Sequence, residues 1–353
     1  MILRGIKIKK NIWLLSAYRS DSHAAWADWL VANFKQFNWS KVELSGRHFR
    51  WRIRGNPLSW LNKLPENNPD LILATSMVDL ATLKGLNPRL VNIPCLYYFH
   101  ENQFAYPISK HQLESIEPKM VQLYGALSAD LCFFNSAFNQ SSFLQGVDNL
   151  LNKLPDEVPP HIVELLAQKS QVLPVVIQPI KQTQEKNKKL ILWNHRWEYD
   201  KAPEIFYQAL LILKERKIEF QLALLGSRHI QKSPALQQIE TELDPYILYN
   251  AKVSKTDYQK ILSQSALVVS TAIHEFQGLS MLEAVSAGAV PVVPNDLCYQ
   301  EQYPEFYRYP AGDYGALADK LEAFLSKEII PPVVDAWYNS DIIKNWQKTL
   351  NLL

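Results

Sequence analysis

STAIHEFQGLSMLEAVSAGAVPVVP (residues 270–294) is the stretch whose reading decides the fold. A short apolar run at 266–270 reads as a buried strand, the polar, glycine-containing segment to Gly278 cannot extend it, and 279–287 has helical spacing of apolar side chains. Gly288 stops that helix, and Val290, Pro291, Val292 and Val293 make a second apolar run. The order strand, loop, helix, strand is the crossover of a parallel sheet. In such sheets ligands sit at the carboxyl ends of strands, against helix N-termini. Here that position holds His274, Glu275, Gln277 and Gly278, with Glu283 one turn into the helix.

A chain of 353 residues, 47% hydrophobic and 20% charged, exceeds one ordinary core and suffices for two α/β domains. The first 18 residues alternate charge with short apolar pieces, and nothing elsewhere is long enough to span a bilayer. No signal peptide, no membrane association and a cytoplasmic protein are therefore expected. Cys95, Cys132 and Cys298 lie far apart without zinc or disulfide spacing and read as buried thiols. The formal charge of +2 hides an asymmetry, since residues 1–54 carry eleven Lys and Arg against three Asp and Glu. RHFRWRIR (47–54) is the densest part, interleaving Arg47, Arg50, Arg52 and Arg54 with His48, Phe49 and Trp51. That mixture suits phosphates and stacked bases. It equally suits a solvated edge strand with snorkelling arginines, which composition alone favours.

Taken in order, strands are predicted at 11–17, 70–75, 94–99 and 131–135. Helices are predicted at 24–37, 78–84 and 119–128, the first capped by Asp21 or Ser22 and burying Trp26, Trp29, Leu30, Val31 and Phe34. Prolines at 155, 159, 160, 174 and 179, then the polar KQTQEKNKK (181–189), mark a linker at 178–189. A second alternating series follows, with strands at 190–193, 220–225, 247–249 and 266–270 and helices at 203–216, 234–243, 256–265 and 313–325. The expected division is an acceptor domain at 1–177, the linker, a donor domain at 190–332, and a C-terminal helix in 333–353 packing back on the N-terminal domain. Strands alternating with helices argue for doubly wound sheets.

Several residues sit where such sheets place chemistry. Arg196 and Lys201 lie in WNHRWEYDKAP (193–203), after a strand and before a helix that Pro203 can open. Two cations beside a helix N-terminus make an anion site suited to a diphosphate, though an exposed loop with surface charges has the same composition. Gly226, closing LALLG, permits close backbone approach or is only a turn. His100 follows PCLYYF and precedes Glu101, Asn102 and Gln103, so it reads as a core residue or a site residue. Glu275 and Glu283 carry the same ambiguity, since either suits a site, solvent or a cation. Asp-x-Asp, His-x-x-x-His and Cys-x-x-Cys are absent, so no metal is expected. The phosphate loop, the dinucleotide fingerprint and the serine-hydrolase turn are absent too.

Together these residues resemble a GT-B glycosyltransferase of the retaining family-4 type. Arg196 and Lys201 have that family's phosphate-binding offset, Glu275 and Glu283 its Glu, seven residues, Glu motif, and His100 its donor-sugar position. YYFHENQFAYP (97–107), WNHRWEYDKAPEIF (193–206), STAIHEFQGLSMLEAV (270–285) and RHFRWRIR are similar to the tRNA-queuosine α-mannosyltransferases. One departure is Ser20-Asp21 ahead of Ser22-His23, where two glycines are expected.

The resemblance implies an α/β, GT-B chain of two doubly wound Rossmann-like domains facing across a cleft. It implies mannose transfer from GDP-mannose to the cyclopentene-diol of queuosine in a tRNA anticodon, without a cofactor. Arg196 and Lys201 would neutralise the diphosphate, Glu275 contact the sugar, Glu283 the ribose, and His100 orient the sugar. Gly226 and the amides of Gly278 and Leu279 would complete the donor site. Ser22, His23, Glu101, Asn102, Arg50, Trp51 and Arg52 would receive the acceptor. Two alternatives share the scaffold: transfer to a lipid-linked or other glycan, and a silent RNA- or nucleotide-binding protein.

Overall fold

Apolar runs bounded by polar turns build two parallel sheets, and the computed structural model describes residues 9–106, 115–226 and 233–353. The amino-terminal segment, Pro107 of the 97–107 stretch and residues 227–232 lie outside the described residues. One unit comprises the chain up to Val175 with Lys344–Leu353, and the second is Val176–Ile343.

In the first unit the elements are β1 (Asn11–Arg19), α1 (Asp21–Asn33), β2 (Asn38–Ser45), α2 (Phe49–Trp60), β3 (Leu71–Thr75), α3 (Leu80–Leu86) and β4 (Cys95–Phe99). They continue with α4 (Glu117–Ser128), β5 (Leu131–Phe134), α5 (Ala137–Leu151), α6 (Ile162–Gln168) and β6 (Ser170–Val172). The strand order is β2-β1-β3-β4-β5-β6, parallel throughout. The winding reverses between β1 and β3, which makes a switch point at their carboxyl ends.

The second unit runs β7 (Asn187–Trp193), α7 (Pro203–Glu215), β8 (Gln221–Leu224), α8 (Pro234–Glu242), β9 (Ile247–Tyr249), α9 (Lys255–Gln264) and β10 (Ser265–Val269). After these come α10 (Leu279–Ser286), β11 (Val290–Pro294), α11 (Tyr299–Gln302), β12 (Arg308–Tyr309) and α12 (Tyr314–Leu325); the last helix, α13 (Ser340–Leu350), belongs to the first unit from Lys344 onward. The second unit's strand order is β12-β11-β10-β7-β8-β9, again parallel, so the reversal falls between β7 and β10. The loops after those two strands are the ones that carry Arg196, Lys201, His274 and Glu275.

Several expectations need correction. RHFRWRIR is no edge strand: it opens α2, because Ile53, Asn56, Pro57 and Trp60 recur at helical spacing and are all buried. The edge of that sheet is instead β2, whose mixed polar sequence NWSKVELS hides a strand that buries only Val42. The short β6 at the other edge is likewise unannounced by apolar residues. Helix α1 starts at Asp21 with Ser20 as its N-cap residue and stops at Asn33, where Phe34 leaves helical dihedrals. Trp29 and Val31 are accordingly only half-buried. Ser20 has ordinary extended dihedrals (φ −80°, ψ 170°), so no glycine is required there. Gly46 supplies the close approach instead, since a Cβ on it would lie 2.8 Å from the Arg19 carbonyl oxygen. The segment expected as a linker is held to the second unit: the Ile180 amide donates to Ser286 and Lys186 donates to the Ser265 and Ala287 carbonyls.

Aromatic packing closes the first unit's sheet. Trp346 of α13 is fully buried, stands 5.2 Å from Tyr98 and 5.8 Å from Trp26 between ring centres, and donates its indole N–H to the Pro174 carbonyl at 3.0 Å. All three partners belong to the first unit. Large buried aromatics cost about 3–5 kcal/mol on truncation. Trp346→Ala is thus expected to lower the first unit's unfolding free energy by about 3–5 kcal/mol, read as an earlier denaturant midpoint with the second unit's transition unmoved.

Candidate active site

In the second unit the site is built where the chain leaves β7 and β10. After Trp193 a single turn of tight helix at Tyr199–Lys201 ends on Ala202, left-handed at φ 43°, from which Pro203 starts α7. The loop after β10 is tied to this turn. Thr271 donates its hydroxyl to the Lys201 and Ala202 carbonyls at 2.8 and 3.0 Å, and the Ile273 amide donates to the Asp200 carbonyl at 2.9 Å. Loop and turn therefore form one rigid block.

Lys201 lies inside that block. Its Nζ is 3.1 Å from Glu275 Oε2, 3.2 Å from Asp200 Oδ2 and 2.7 Å from the His274 carbonyl oxygen it donates to. Burial by itself pulls the Lys201 ammonium down, but the charges of Glu275 and Asp200 outweigh it and hold its pKa above the ordinary value. Burial alone would raise the Glu275 carboxyl; Lys201's charge and hydrogen bonds from Lys201 and the Gly278 amide reverse this, bringing it down to about 2. Burial also keeps His195 and His274 neutral, each pulled down to about 4. Asp200 meets Lys201 as an ion pair without a well-aligned hydrogen bond to either of its oxygens, and His195 Nε2 has no hydrogen-bond partner among the described residues.

Arg196 behaves differently. It is largely exposed and pairs with Glu198 at 3.1 Å. A surface pair of this kind is worth about 0–1 kcal/mol, whereas stripping a partner from a buried pair costs about 3–5 kcal/mol. Arg196 can therefore turn to an incoming anion, while Lys201 stays seated and the anion must come to it.

Gly278 stands at φ 62° where α10 begins, so the helix N-terminus at Leu279 opens beside Glu275. Glu283, one turn on, accepts a hydrogen bond from Tyr258 at 2.8 Å, and burial raises its carboxyl despite that bond. Gly226 (φ 95°) has its close approach to the protein's own backbone: a Cβ there would strike the His195 carbonyl. It brings the ends of β7 and β8 together.

In the first unit, β4 delivers His100 into an aromatic setting. Its ring centre lies 4.2 Å from His23, 4.6 Å from Trp26 and 4.8 Å from Tyr98, edge-on to all three. His100 Nε2 is buried without a hydrogen-bond partner among the described residues. Burial, with His23 adding to it, drives His100 well below the ordinary histidine value, and burial takes His23 to about 4, so both rings are neutral at pH 7. His23 Nδ1 lies 2.9 Å from the Tyr18 carbonyl, which only accepts, so Nδ1 carries the proton and Nε2 its lone pair. Ser20 Oγ sits at the same 2.9 Å from Nδ1. Ser22 is exposed at the start of α1, and Glu101 accepts from Gln103 at 3.4 Å.

Asn102 departs from its expected role. It is fully buried, donating to Asn139 and Ser142 and accepting from the Phe104 and Ala105 amides, so it shapes the loop from within and presents nothing to an acceptor. On α2, Arg54 is spent on Asp79 and Glu117, while Arg50 and Trp51 are exposed. Trp51 lies flat over Gly55, where a Cβ would come within 2.6 Å of its ring. Arg52 reaches Ser45 Oγ at 3.4 Å.

A family model for the N-terminal part of the tRNA-queuosine alpha-mannosyltransferases matches residues 11–177, and one for glycosyl transferases group 1 matches 177–340. The tRNA-queuosine alpha-mannosyltransferase of Drosophila melanogaster is 32% identical over 330 residues, covering 90% of this chain and 87% of that protein. The chain belongs to the tRNA-queuosine alpha-mannosyltransferase family. Sucrose-phosphate synthase from Thermosynechococcus elongatus matches its structure with a TM-score of 0.70 at 12% identity, covering 98% of this chain and 99% of that one. TarM from S. aureus, solved with UDP, matches at 0.63 and 14% identity over 85% of this chain, which spans 59% of TarM's length. At such identities these two show the fold alone, the two-domain Rossmann-like GT-B architecture.

For a queuosine-mannosyltransferase relative, the second unit thus brings Arg196, Lys201, Gly226, Glu275, Gly278, Leu279 and Glu283 to one switch point. His23 and His100 meet in the first unit. Sequence reasoning did not single out Asp200, His195 or Tyr258. Asp200 adjoins Lys201 in the sequence and was legible as its counter-ion; Tyr258 is brought to Glu283 only by the fold. Among the described residues no group of three or more His, Cys, Asp or Glu is placed to hold a metal ion, and no helix is long and apolar enough to cross a membrane.

The Lys201–Glu275 pair sets a pH signature. Glu275's depressed carboxyl contributes stability that is present above its ordinary pKa of 4.5 and lost as pH falls toward about 2. In Lys201→Met the opposing ammonium is gone, burial outweighs the Gly278 amide bond that remains, Glu275's pKa moves above the unfolded value, and its own contribution to stability grows on acidification from pH 7 to 5. Urea unfolding at those two pH values is expected to show the wild type losing stability on acidification, because His195 and His274 are held at about 4 in the folded state and take up protons when unfolded, and the variant losing less.

Proposed function

We propose that this protein transfers mannose from GDP-mannose to the cyclopentene-diol of queuosine in a tRNA anticodon, with retention of anomeric configuration. The observation that carries the reading is the buried Lys201 held against Glu275 at the β7/β10 switch point, beside the N-terminus of α10. The family membership and the name of the Drosophila relative support the acceptor.

In this reading the sugar's anomeric carbon parts from the diphosphate, which gains negative charge as the bond breaks. Lys201 and the Leu279 amide are seated donors for that charge, Arg196 turns to it from the surface, and the Gly278 amide holds Glu275 beside them, so the site favours the transition state over the ground state. Glu275 accepts from the sugar's hydroxyls and Glu283 from the ribose. Retention in a hydrolase takes two carboxylates about 5 Å apart. Asp200 and Glu275 are both drawn to Lys201 and serve it as counter-ions, so we assign front-face attack instead. The acceptor hydroxyl enters on the leaving group's side and its proton passes to a phosphate oxygen. The donor is bound by side-chain cations and amides, with no metal required. Neutral His100 orients the sugar and, with Ser22, His23 and Glu101, receives the acceptor diol. Arg50, Trp51 and Arg52 contact the anticodon arm, with Trp51 offering a flat ring to an unpaired base.

Incubating the protein with GDP-mannose and queuosine-containing tRNA, then weighing the nucleosides, is expected to give a hexose-sized gain on queuosine; an unchanged mass overturns the assignment. Arg196→Ala and Glu275→Gln are each expected to lower turnover about 100-fold or more while circular dichroism stays that of the wild type.

Arg50→Glu with Arg52→Glu is expected to weaken tRNA binding and flatten the slope of log affinity against log salt by about 2. Arg54→Ala should leave that slope nearly unchanged, because its guanidinium is already committed to Asp79 and Glu117.

A further inference from the structure

Glu283 is held through one of its two oxygens. Tyr258, on α9, donates its hydroxyl to Oε2 at 2.8 Å, and that is the only side-chain hydrogen bond Glu283 makes among the described residues. The Tyr258 oxygen in turn accepts from Asn194 Nδ2 at 2.8 Å, and the same amide reaches the Ser280 carbonyl at 3.4 Å. Asn194 is buried at the end of β7. A hydrogen-bonded line thus runs from the residue after β7 through α9 to α10, one turn past its start, and terminates on a carboxylate.

The chemistry of the line fixes its direction. The asparagine amide nitrogen can only donate and the carboxylate only accept, so the phenol accepts from one and donates to the other. A glutamate side chain otherwise has three soft torsions and loses much rotamer freedom when a ligand immobilises it. Here one oxygen is pinned by a charge-assisted bond, which sets the carboxylate plane and leaves Oε1 to a ligand. The line is built from three separate elements of the second unit, so its geometry is set before any ligand arrives.

We propose that Tyr258 is a positioning residue for the nucleotide's ribose: it pre-orients Glu283 so that Oε1 accepts from the vicinal ribose hydroxyls. The inference rests on the reading of Glu283 as the ribose contact. Tyr258 acts through Glu283, and Asn194 fixes Tyr258 in turn. The saving is in ordering, so it raises affinity for nucleotides that carry the hydroxyls and for no others.

Calorimetric titration of the full chain with GDP and with 2′,3′-dideoxy-GDP tests this. The wild type is expected to bind GDP about 100-fold more tightly than the dideoxy nucleotide, since a site built to pair a hydroxyl is left unsatisfied without it. Tyr258→Phe is expected to weaken GDP about 10-fold and leave dideoxy-GDP unchanged, so that discrimination shrinks. A variant that discriminates as strongly as the wild type, or that loses both nucleotides equally, overturns the role of Tyr258 while the ribose reading of Glu283 stands. A wild type that binds both nucleotides equally overturns the ribose reading itself, and the inference with it.

Discussion

A lysine ammonium buried between two carboxylates is the constraint on which the second unit's site depends. Taking an ammonium out of water costs several kcal/mol, and Lys201 recovers this only through Asp200, Glu275 and the His274 carbonyl. Every nearby irregularity serves that arrangement. Ala202 accepts a left-handed backbone, which costs an alanine of order 1–3 kcal/mol, because the turn must end where Pro203 can begin α7. Thr271 and Ile273 fasten the β10 loop to the turn, and Gly226 clears the path of the His195 carbonyl. Packing on a parallel sheet fixes these loops, so the cation's position follows from the strand order.

The charges in this block do not balance to a phosphate site by themselves. Asp200 and Glu275 together outnumber Lys201, so a diphosphate bound as we propose would meet a buried cluster with more carboxylates than ammonium groups before Arg196 is added. Lys201 contributes directionality more than net charge. In the proposed donor site the attraction comes from Arg196, which pairs with Glu198 at the surface, and from the helix N-terminus at the start of α10. Both are positioned by the loop and turn that Lys201 holds together. This division explains why one cation is buried and immobile while the other is exposed.

The proposed donor site is well displayed in the sequence because its parts are local. Arg196 and Lys201 share one loop, Glu275, Gly278 and Glu283 share another, and both loops follow strongly apolar strands. Residues defined by long-range contacts are less visible. Tyr258 sits 25 positions from Glu283 in a mostly polar helix that buries Ile261 and Leu262, and nothing in its neighbourhood announces a partner. Asn102 looks like a site residue because it stands in a polar run after a strand, yet its amide is used entirely by Asn139, Ser142 and two loop amides. The helix over RHFRWRIR is masked by its arginines, and its period emerges only when Asn56, Pro57 and Trp60 beyond it are counted. The absence of a glycine at Ser20 is explained by geometry that sequence does not carry: Ser20 is ordinarily extended, and the tight approach to Arg19 is made by Gly46, just past β2.

The basic first unit shows the same difference between composition and available charge. Eleven cations precede residue 55, but many are consumed internally. Arg19 is divided between Asp28 and Glu43, Lys41 lies 2.5 Å from Asp28, Arg54 serves Asp79 and Glu117, and Lys10 donates to the Leu350 carbonyl. Among the described residues Arg47 and Arg50 make no ion pair, and they stand with Trp51 around the first turn of α2. Partial positive charge at a helix start adds to theirs. Among the described residues the footprint around α2 is therefore one helix end with an aromatic face, smaller than the formal excess suggests. A surface of that size contacts few phosphates, so recognition of a folded RNA must draw on shape and on unpaired bases as well as on charge.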